Sequence, residues 1–210
     1  PRPVKIFCLK VDMDNRAVRL KTIVAPDPDG DGPAESQLLP PLWLALSNGV
    51  VAAVNANAFG GPVDSAGKEN RSWITGLPAT LLGWVASEGK TLNPPKSNLK
   101  SFWIDPEGRP HAGDPVEDQP VVEAVAGFGP LMRGGDIVVQ PSETRHPRTG
   151  VGYDRAGRFV YLVVADGRQK EYSEGMSLYE LAEFMKAIGC WEAVNLDGGG
   201  SSVMIVADGT

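Results

Sequence analysis

Residues 195–202 place a carboxylate and an amide beside three glycines and two hydroxyls: Asn195-Leu196-Asp197-Gly198-Gly199-Gly200-Ser201-Ser202. The run lies between two apolar segments, 191–194 and 203–206. Three consecutive glycines pack nothing and cost backbone entropy, so they are poor filler for a helix or a strand. Bare backbone N–H groups that approach a ligand closely would explain them, and an anion is the most natural ligand. A tight turn capped by Asp197 explains the same residues, and this segment alone leaves both interpretations open.

A second loop, Thr144-Arg145-His146-Pro147-Arg148-Thr149, carries a dense set of hydrogen-bond donors. The guanidinium of Arg148 presents a planar fork that suits phosphate oxygens, and Thr149 adds a hydroxyl donor. The alternative is a solvated basic loop in an acidic protein. Because Pro147 restricts the backbone and indicates a loop of fixed shape, we favour the anion site.

Two further loops offer polar groups. Asp166-Gly167-Arg168 follows the apolar run 159–165, and this carboxylate and guanidinium form either part of a site or a turn with an ion pair. In the segment 55–61, Asn55 and Asn57 can exchange hydrogen bonds with sugar hydroxyls or phosphate oxygens, and Phe59 follows them. Capping of Asx turns also explains the two asparagines, and locally it is the better explanation.

Several familiar catalytic patterns are absent from the sequence. No G-x-S-x-G surrounds Ser201, no G-x-x-x-x-G-K-[ST] nucleotide loop occurs, and the two His and two Cys lack zinc-ligand spacing. The segment 27–33 has acids at alternate positions, but Leu38 stands where a calcium loop needs its final Glu, so we predict a surface loop. No cofactor is predicted, and the question of a metal stays open. The remaining carboxylates, amides and arginines suit sugars and phosphates.

The composition is that of a folded globular chain, with 42% hydrophobic and 22% charged residues over 210 positions. The net charge is −6 and no basic stripe occurs, so neither a nucleic acid nor an anionic membrane is expected as a partner. No apolar stretch reaches membrane-spanning length. Because the sequence starts at Pro1 without a leader pattern, we expect a processed or trimmed chain. Cys8 and Cys190 form either one disulfide or two buried thiols.

Strand patterns dominate the elements that must position these loops. Runs with strand character occupy 4–11, 18–25, 49–54, 80–86, 99–104 and 121–126, and 151–153 forms a hairpin with 159–165. A short helix is predicted over 40–46.

One strongly periodic helix starts at the capping box of Ser177 and Glu180 and ends before Gly189. Its apolar residues recur at helical spacing: Leu178, Leu181, Met185 and Ile188. The sequence therefore predicts an α+β fold that is mostly β, with mixed or antiparallel sheets and a few packed helices. Polar loops that meet at one edge of a sheet would form a site.

Taken together, these loops resemble the phosphodiester glycosidase family. The resemblance is carried by 195–202, by His146-Pro147-Arg148-Thr149 with Gly152, and by Val163-Val164-Ala165-Asp166-Gly167-Arg168. Weaker matches are 55–61 and Gly127-Phe128-Gly129-Pro130-Leu131. The motifs follow the order and spacing of the family and span nearly the whole chain. The resemblance therefore implies a single domain over 1–210.

The resemblance implies hydrolysis of a sugar-1-phosphodiester, such as an N-acetylglucosamine-1-phosphodiester, to the free sugar and a phosphomonoester. Asp197 or Asp166 would act as the base or nucleophile at the anomeric carbon. A phosphomonoester has a last pKa of about 6, so arginines and N–H groups could stabilise this leaving group without a strong general acid. The expected substrate contacts are Asn55, Asn57, Phe59, Phe128, His146, Arg148, Thr149, Arg168, Asn195, Gly198, Gly199, Gly200, Ser201 and Ser202.

These contacts divide by role. Arg148, Thr149 and the N–H groups of 198–200 would hold phosphate. Asn55, Asn57 and Asn195 would hold sugar hydroxyls, and Phe59 or Phe128 would form an apolar wall.

Two other functions use the same residues. One is a non-catalytic domain that binds phosphorylated or anionic glycans, and the other is a phosphodiesterase that attacks phosphorus instead of carbon. In each case the partner is a small molecule or glycan with a sugar-phosphate group. The family resemblance implies an extracellular or periplasmic location.

Overall fold

The computed structural model describes residues 2–30, 32, 34–63, 66–70, 72–115 and 119–207. Over these residues the chain forms short strands and two α-helices. They are β1 (Ile6–Asp12), β2 (Ser36–Gln37), α1 (Pro41–Ser47), β3 (Ala52–Val54), β4 (Phe59–Gly60), β5 (Pro78–Leu81), β6 (Val85–Ser87), β7 (Lys90–Asn93), β8 (Lys100–Ile104), β9 (Pro110–Gly113), β10 (Glu123–Gly127), β11 (Gly129–Arg133), β12 (Asp136–Ile137), β13 (Arg148–Tyr153), β14 (Phe159–Ala165), α2 (Leu178–Ala187), β15 (Glu192–Asn195) and β16 (Met204–Val206). A single 3₁₀ turn, Gly199–Ser201, lies between β15 and β16.

Two antiparallel sheets form the body of the molecule. The larger has the order β1-β14-β13-β15-β11-β12, and the second has the order β7-β6-β10-β8-β9. Two small sheets, β16-β3 and β2-β5-β4, flank them. The prediction of a mostly β, α+β fold is confirmed, and the described pairings are all antiparallel.

The six-stranded sheet is covered on both faces. Helix α2 packs on one face, where its Leu181 and Met185 join Tyr161 and Val163 in a buried cluster. Strand β8 of the second sheet packs on the other face against residues that include Val160. Because β14 is buried from both sides, its sequence is apolar almost throughout instead of alternating.

Helix α2 begins as the sequence predicts. The hydroxyl of Ser177 accepts the N–H of Glu180, and the carboxylate of Glu180 accepts the N–H of Ser177. Gly189 follows the helix with a φ of +104°, a conformation that favours glycine. Glu180 also pairs with Arg2 and Arg145, so the start of this helix holds both the N-terminal segment and the loop before β13.

Two predicted strands were wrong in detail. The segment 18–25 is not a strand. At its centre, both backbone groups of Thr22 bond to side chains: the carboxylate of Glu123 accepts the N–H, and the Ser87 hydroxyl donates to the carbonyl. The run 80–86 divides into β5 and β6, with Gly83 at a φ of +78° between them. The other predicted strands and the helix over 40–46 are confirmed, with shifted ends.

Two smaller expectations are also resolved in part. Cys8 and Cys190 are both free, but only Cys190 is buried, so the expectations of a disulfide and of two buried thiols are both wrong. Burial raises the pKa of the Cys190 thiol to about 12. In the loop 27–33, the carboxylate of Asp27 accepts the N–H groups of Asp29 and Gly30. Asp31 and Pro33 of that loop lie outside the described residues.

Candidate active site

The polar loops meet at one edge of the six-stranded sheet. Strands β14 and β15 end at this edge and β11 and β13 begin there, because neighbouring strands run antiparallel. The register fixes the meeting point: Arg148 lies opposite Ala165, and Gly150 and Gly129 both lie opposite Asn195. The turns 127–129, 144–148, 166–168 and 195–202 are therefore neighbours in space.

Close packing explains two of the three consecutive glycines. The N–H of Gly199 donates to the carbonyl of Pro147 at 2.9 Å, and a Cβ on Gly198 would lie 2.9 Å from the same oxygen. Gly199 has a φ of +62°, in the left-handed region that side chains disfavour. A Cβ on Gly200 would meet nothing within 4 Å, so this glycine faces open space.

The N–H groups of the glycine turn are mostly occupied. Gly198 donates to the Asp197 carboxylate at 2.9 Å, Gly199 donates to Pro147, and Ser201 donates to the Gly198 carbonyl at 3.2 Å. Only the N–H of Gly200 donates to none of the described residues. The expectation that the N–H groups of 198–200 together hold a phosphate is therefore corrected to one available N–H, that of Gly200.

Arg148 is half-buried beside this turn. Its Nε donates to the Met176 carbonyl at 3.0 Å, and a terminal nitrogen donates to the Thr144 carbonyl at 3.4 Å. The guanidinium has no ion pair with any acid in the part of the chain that the structure describes. Burial, and then the positive charge of Arg168, lowers the pKa of Arg148 below its ordinary value.

Arg168 also lies against the glycine turn and is exposed. A terminal nitrogen of its guanidinium lies 3.2 Å from where a Cβ on Gly199 would be. Its side chain contacts His146 Nδ1 at 3.4 Å and pairs with no described carboxylate. Arg168 has a φ of +62°, uncommon for a residue other than glycine, and such strain clusters at functional sites. Two neighbouring cations that pair with no acid among the described residues make this edge suited to an anion.

The two candidate carboxylates differ in how their oxygens are used. In Asp166, one oxygen accepts the N–H of Gly167 at 2.7 Å, and Gln169 Nε2 lies 3.2 Å from both oxygens. In Asp197, one oxygen accepts the N–H of Gly198, and no described group donates to the other. Asp166 therefore stabilises its own turn, whereas Asp197 keeps an oxygen available for chemistry.

Asn55 and Thr149 form a buried link under the glycine turn. Asn55 Nδ2 donates to the Asp197 carbonyl at 2.7 Å, and its Oδ1 accepts the Thr149 hydroxyl at 2.7 Å and the Val203 N–H at 3.1 Å. Thr149 is fully buried, and its hydroxyl also lies 3.4 Å from the Ser202 hydroxyl. These two side chains are used in holding the backbone of Asp197, so we place them beneath the site and not on its surface.

Asn57 is occupied in a different place. Its Nδ2 donates to the carbonyls of Leu82 at 2.8 Å and Trp84 at 3.1 Å, and its Oδ1 accepts the Ala126 N–H at 3.1 Å. Two of these bonds reach the segment between β5 and β6, and the third reaches β10 of the second sheet. The amide is therefore structural here, and we do not retain it as a sugar contact.

The remaining predicted residues lie around the glycine turn. Asn195 is 5% exposed, and its Oδ1 has no partner among the described residues. Phe128 is 52% exposed, and its N–H donates to the Asn195 carbonyl at 2.9 Å. The hydroxyl of Ser201 has no described partner. Phe128 rather than Phe59 is thus the aromatic ring beside the turn.

Phe59 lines a separate cleft. The cleft has a volume of about 240 Å³ and includes Leu38, Glu69, Asn70 and Trp73, but no residue of the four turns. The Phe59 and Trp73 rings meet edge to face at 5.1 Å. The cleft is therefore separate from the glycine turn and from Arg148 and Arg168.

No sequence pattern pointed to the carbonyl of Met176, which accepts a hydrogen bond from Arg148, or to Gly175. A Cβ on Gly175 would lie 2.5 Å from the His146 carbonyl, so this glycine lets the 146–148 segment pack closely. No group of three or more His, Cys, Asp or Glu suited to a metal ion occurs among the described residues. Neither described helix is long and apolar enough to cross a membrane.

A family model described as phosphodiester glycosidase matches residues 48–210 of this chain. The chain belongs to the phosphodiester glycosidase family. Curated members with similar sequences are the N-acetylglucosamine-1-phosphodiester α-N-acetylglucosaminidases of Mus musculus, 34% identical over 111 residues, and Homo sapiens, 31% identical over 107 residues. These alignments cover 44% and 42% of this chain, and about a fifth (20%) of each relative.

Solved structures show the same fold. The catalytic domain of the zebrafish N-acetylglucosamine-1-phosphodiester α-N-acetylglucosaminidase, auto-inhibited by its pro-peptide, superposes with a TM-score of 0.64 at 21% identity. That match covers 97% of this chain and 73% of the zebrafish chain. A hypothetical protein from Synechocystis gives a TM-score of 0.61 at 14% identity, over 96% of this chain and 55% of the other.

Within this phosphodiester glycosidase domain, the family match includes every turn of the candidate active site. It starts after β1, which nevertheless pairs with β14 over its whole length. Strand β1 and the matched region thus form one sheet. The candidate active site lies at the end of this sheet where β1 begins, since Ile6 and Arg148 both lie opposite Ala165.

Proposed function

We propose that this domain hydrolyses a sugar-1-phosphodiester to the free sugar and a phosphomonoester. The observation that carries the proposal is the pair of arginines, Arg148 and Arg168, which flank the glycine turn without a described acidic partner. Their charge suits a phosphodiester anion. Asp197 lies in the same turn with one carboxylate oxygen free of described donors.

The chemistry follows from the leaving group. The bond between the anomeric carbon and the ester oxygen breaks, and its electron pair leaves with the phosphate. The guanidinium groups and the N–H of Gly200 stabilise the negative charge that develops there. Because the second pKa of a phosphomonoester is about 6, this leaving group departs without a strong acid.

Asp197 supplies the opposite half of the reaction. Its carboxylate either takes a proton from the water that attacks the anomeric carbon or attacks that carbon itself and is later released by water. Asn55 holds the Asp197 carbonyl and so fixes the position of this carboxylate. The Arg168 guanidinium has only N–H donors, so in its contact with His146 we assign Nδ1 of the imidazole as the acceptor. The proton of the neutral ring then lies on Nε2, which can donate to a phosphate oxygen.

The decisive experiment is hydrolysis of an N-acetylglucosamine-1-phosphodiester in oxygen-18 water. We expect the label in the sugar, because water attacks carbon. Label in the phosphate, or loss of turnover with a chelator, would instead identify a phosphodiesterase that attacks phosphorus. Binding of the diester without any turnover would identify a glycan-binding domain.

Two carboxylate variants test the assignment of the base or nucleophile. Asp197→Asn is expected to lower kcat by about 10²–10⁴-fold, the range for loss of a positioned base. Asp166→Asn is the matched control and should lower kcat far less. Asp166 lies at the same edge of the six-stranded sheet, but its carboxylate is bonded within its own turn. A larger loss for Asp166→Asn than for Asp197→Asn would reverse the assignment.

A further inference from the structure

The cleft beside β4 has no role in the chemistry proposed above. It is formed by Phe59 and Gly61 on one side and by Glu69, Asn70 and Trp73 on the other, and its volume is about 240 Å³. The two sides are in close contact, since a Cβ on Gly61 would lie 1.7 Å from the Asn70 carbonyl. Only glycine at this position leaves the wall as it is.

An aromatic platform dominates the cleft. The Phe59 and Trp73 rings meet edge to face, with their centroids 5.1 Å apart and their planes at 84°, so each ring supports the other. Trp73 is 72% exposed, which is unusual for so large an apolar side chain. The electron-rich face of an aromatic ring attracts the slightly positive C–H groups of a flat ligand. A pyranose presents such a face of C–H groups.

Polar groups at the rim suit the hydroxyls of a sugar. The Asn70 side chain uses its oxygen to accept the Ser72 N–H at 3.0 Å, while its amide nitrogen donates to no described residue. The carboxylate of Glu69 lies on the same rim, 3.3 Å from the N–H of Gly61. A donor and an acceptor beside an open ring form a mixed surface that orients hydroxyl groups.

The cleft is connected to the active site by a short piece of backbone. Asn55 is bonded to Asp197, and Phe59 is four residues further along the chain. Four residues of extended backbone span at most about 14 Å. A saccharide attached to the phosphate would have to span a distance of this order to reach the cleft.

We propose that this cleft is a second, sugar-binding subsite that stacks a pyranose ring on Trp73. Its use for a sugar unit of the substrate rests on the function proposed above, but the binding of a saccharide there does not. The two ideas can therefore fail separately.

Binding is tested with the methyl glycosides of glucose, mannose and N-acetylglucosamine as probes. The chain has five tryptophans, and the indole N–H resonance of Trp73 is identified by its absence in Trp73→Ala. At least one glycoside should shift this resonance in a saturable manner. Trp73→Ala should weaken binding at least tenfold, whereas Trp73→Phe, which keeps a ring face, should restore most of it.

Trp43→Ala is the matched control, because Trp43 is also an exposed tryptophan, at 60%, but lies on α1 outside the cleft. It should leave binding unchanged. The proposal is overturned if no glycoside perturbs Trp73 at tens of millimolar, if Trp43→Ala has the same effect as Trp73→Ala, or if tetramethylammonium binds there and glycosides do not.

The subsite role is tested by kinetics with two diesters of N-acetylglucosamine-1-phosphate. One carries a methyl group and the other a hexose on the far oxygen. Trp73→Ala should raise KM for the hexose diester about tenfold and leave the methyl diester unchanged. An equal effect on both diesters would overturn the subsite role, even where the oxygen-18 result supports the glycosidase. Binding of glycosides at Trp73 without turnover of either diester would contradict the proposed hydrolysis and leave the saccharide site standing.

Discussion

Arg148 and Arg168 lie side by side although like charges repel, and burial adds to the cost of the charge on Arg148. An anion between them would remove this cost. We expect Arg168→Met to lower kcat/KM by about 10²-fold, the typical loss for one donor to a developing negative charge. Steady-state kinetics with the N-acetylglucosamine-1-phosphodiester measures the effect.

Arg16→Met is the control for Arg168→Met. Arg16 is an exposed arginine that follows β1 at the opposite end of the six-stranded sheet, so its loss changes net charge equally. Equal effects of the two variants would show that overall charge, and not a specific contact, is responsible.

Asn55 and Asn57 provide a matched pair for separating stability from activity. Each side chain makes three hydrogen bonds, but only Asn55 is bonded to Asp197, through one of its three. Alanine at either position should lower the free energy of unfolding by about 1–3 kcal/mol, because backbone groups lose their partners. Only Asn55→Ala should also lower kcat strongly.

Urea denaturation and kinetics on the same preparations measure both quantities. Activity that tracks stability equally in the two variants would contradict a positioning role for Asn55. The conservative change Asn55→Asp keeps the acceptor but loses the donor to the Asp197 carbonyl, so it should restore stability only in part.

Helix α2 carries a titratable anchor at its first turn. Burial raises the pKa of Glu180, but the Ser177 N–H and the guanidinium groups of Arg145 and Arg2 outweigh it and lower the pKa to about 2. A carboxylate with a lowered folded pKa stabilises the fold at pH values above its ordinary pKa of 4.5, and this contribution is lost as the pH falls towards 2.

Glu180→Gln should therefore destabilise the protein near neutral pH and flatten the decline of its unfolding free energy between pH 4.5 and 2. Glutamine can still accept the Ser177 N–H, so the variant isolates the charge. Glu143→Gln, which removes a 91% exposed partner of Arg145, is the control and should change little. Thermal or urea unfolding over this pH range gives the result.

Elements with strong local signals were predicted well. The capping box fixed the start of α2, and β14 spans the predicted run 159–165, because burial on both faces demands apolar residues at every position. The segment 18–25 has the same β-forming residues, yet it bonds to side chains of Glu123 and Ser87 instead of joining a ladder. Strand propensity does not distinguish a segment whose backbone groups bond to a neighbouring strand from one whose backbone groups bond to side chains.

That the polar loops lie close together could be predicted more readily than the role of each residue in them. Antiparallel order brings alternate strand ends to one edge, so 144–148, 166–168 and 195–202 lie together. The roles depend on distant partners: Thr149 is bonded to a residue 94 positions away, and Asn55 to one 142 positions away. Such contacts leave no periodicity in the sequence, so buried supports and exposed ligand contacts look alike.

At the scale of the whole molecule, the N-terminal strand protects the edge of the main sheet. Strand β1 pairs with β14 from Ile6 to Asp12, and Lys5 and Glu174 extend the contact through the bonds of Lys5 to Ser173 and of Glu174 to Pro3. Deletion of residues 1–14 would leave the apolar β14 as an unpaired edge. We expect this shortened chain to unfold at lower urea concentration and to form oligomers, seen by light scattering.

The control for this deletion is the full chain with Phe7→Ser and Cys8→Ser. Both side chains are exposed, so these changes leave the backbone pairing intact. It should stay monodisperse. If the shortened chain is equally monodisperse and equally stable, β1 is dispensable and the proposal of a single domain over 1–210 fails.

Strands β10 and β11 follow each other almost without a break. The chain leaves the five-stranded sheet at Gly127 and enters the six-stranded sheet at Gly129. Between them, the Phe128 N–H donates to the Asn195 carbonyl, next to the glycine turn. A molecule that binds at that point would lie where the two sheets join. Its affinity would then depend on the relative position of the five-stranded and six-stranded sheets. Binding should therefore stabilise that relative position.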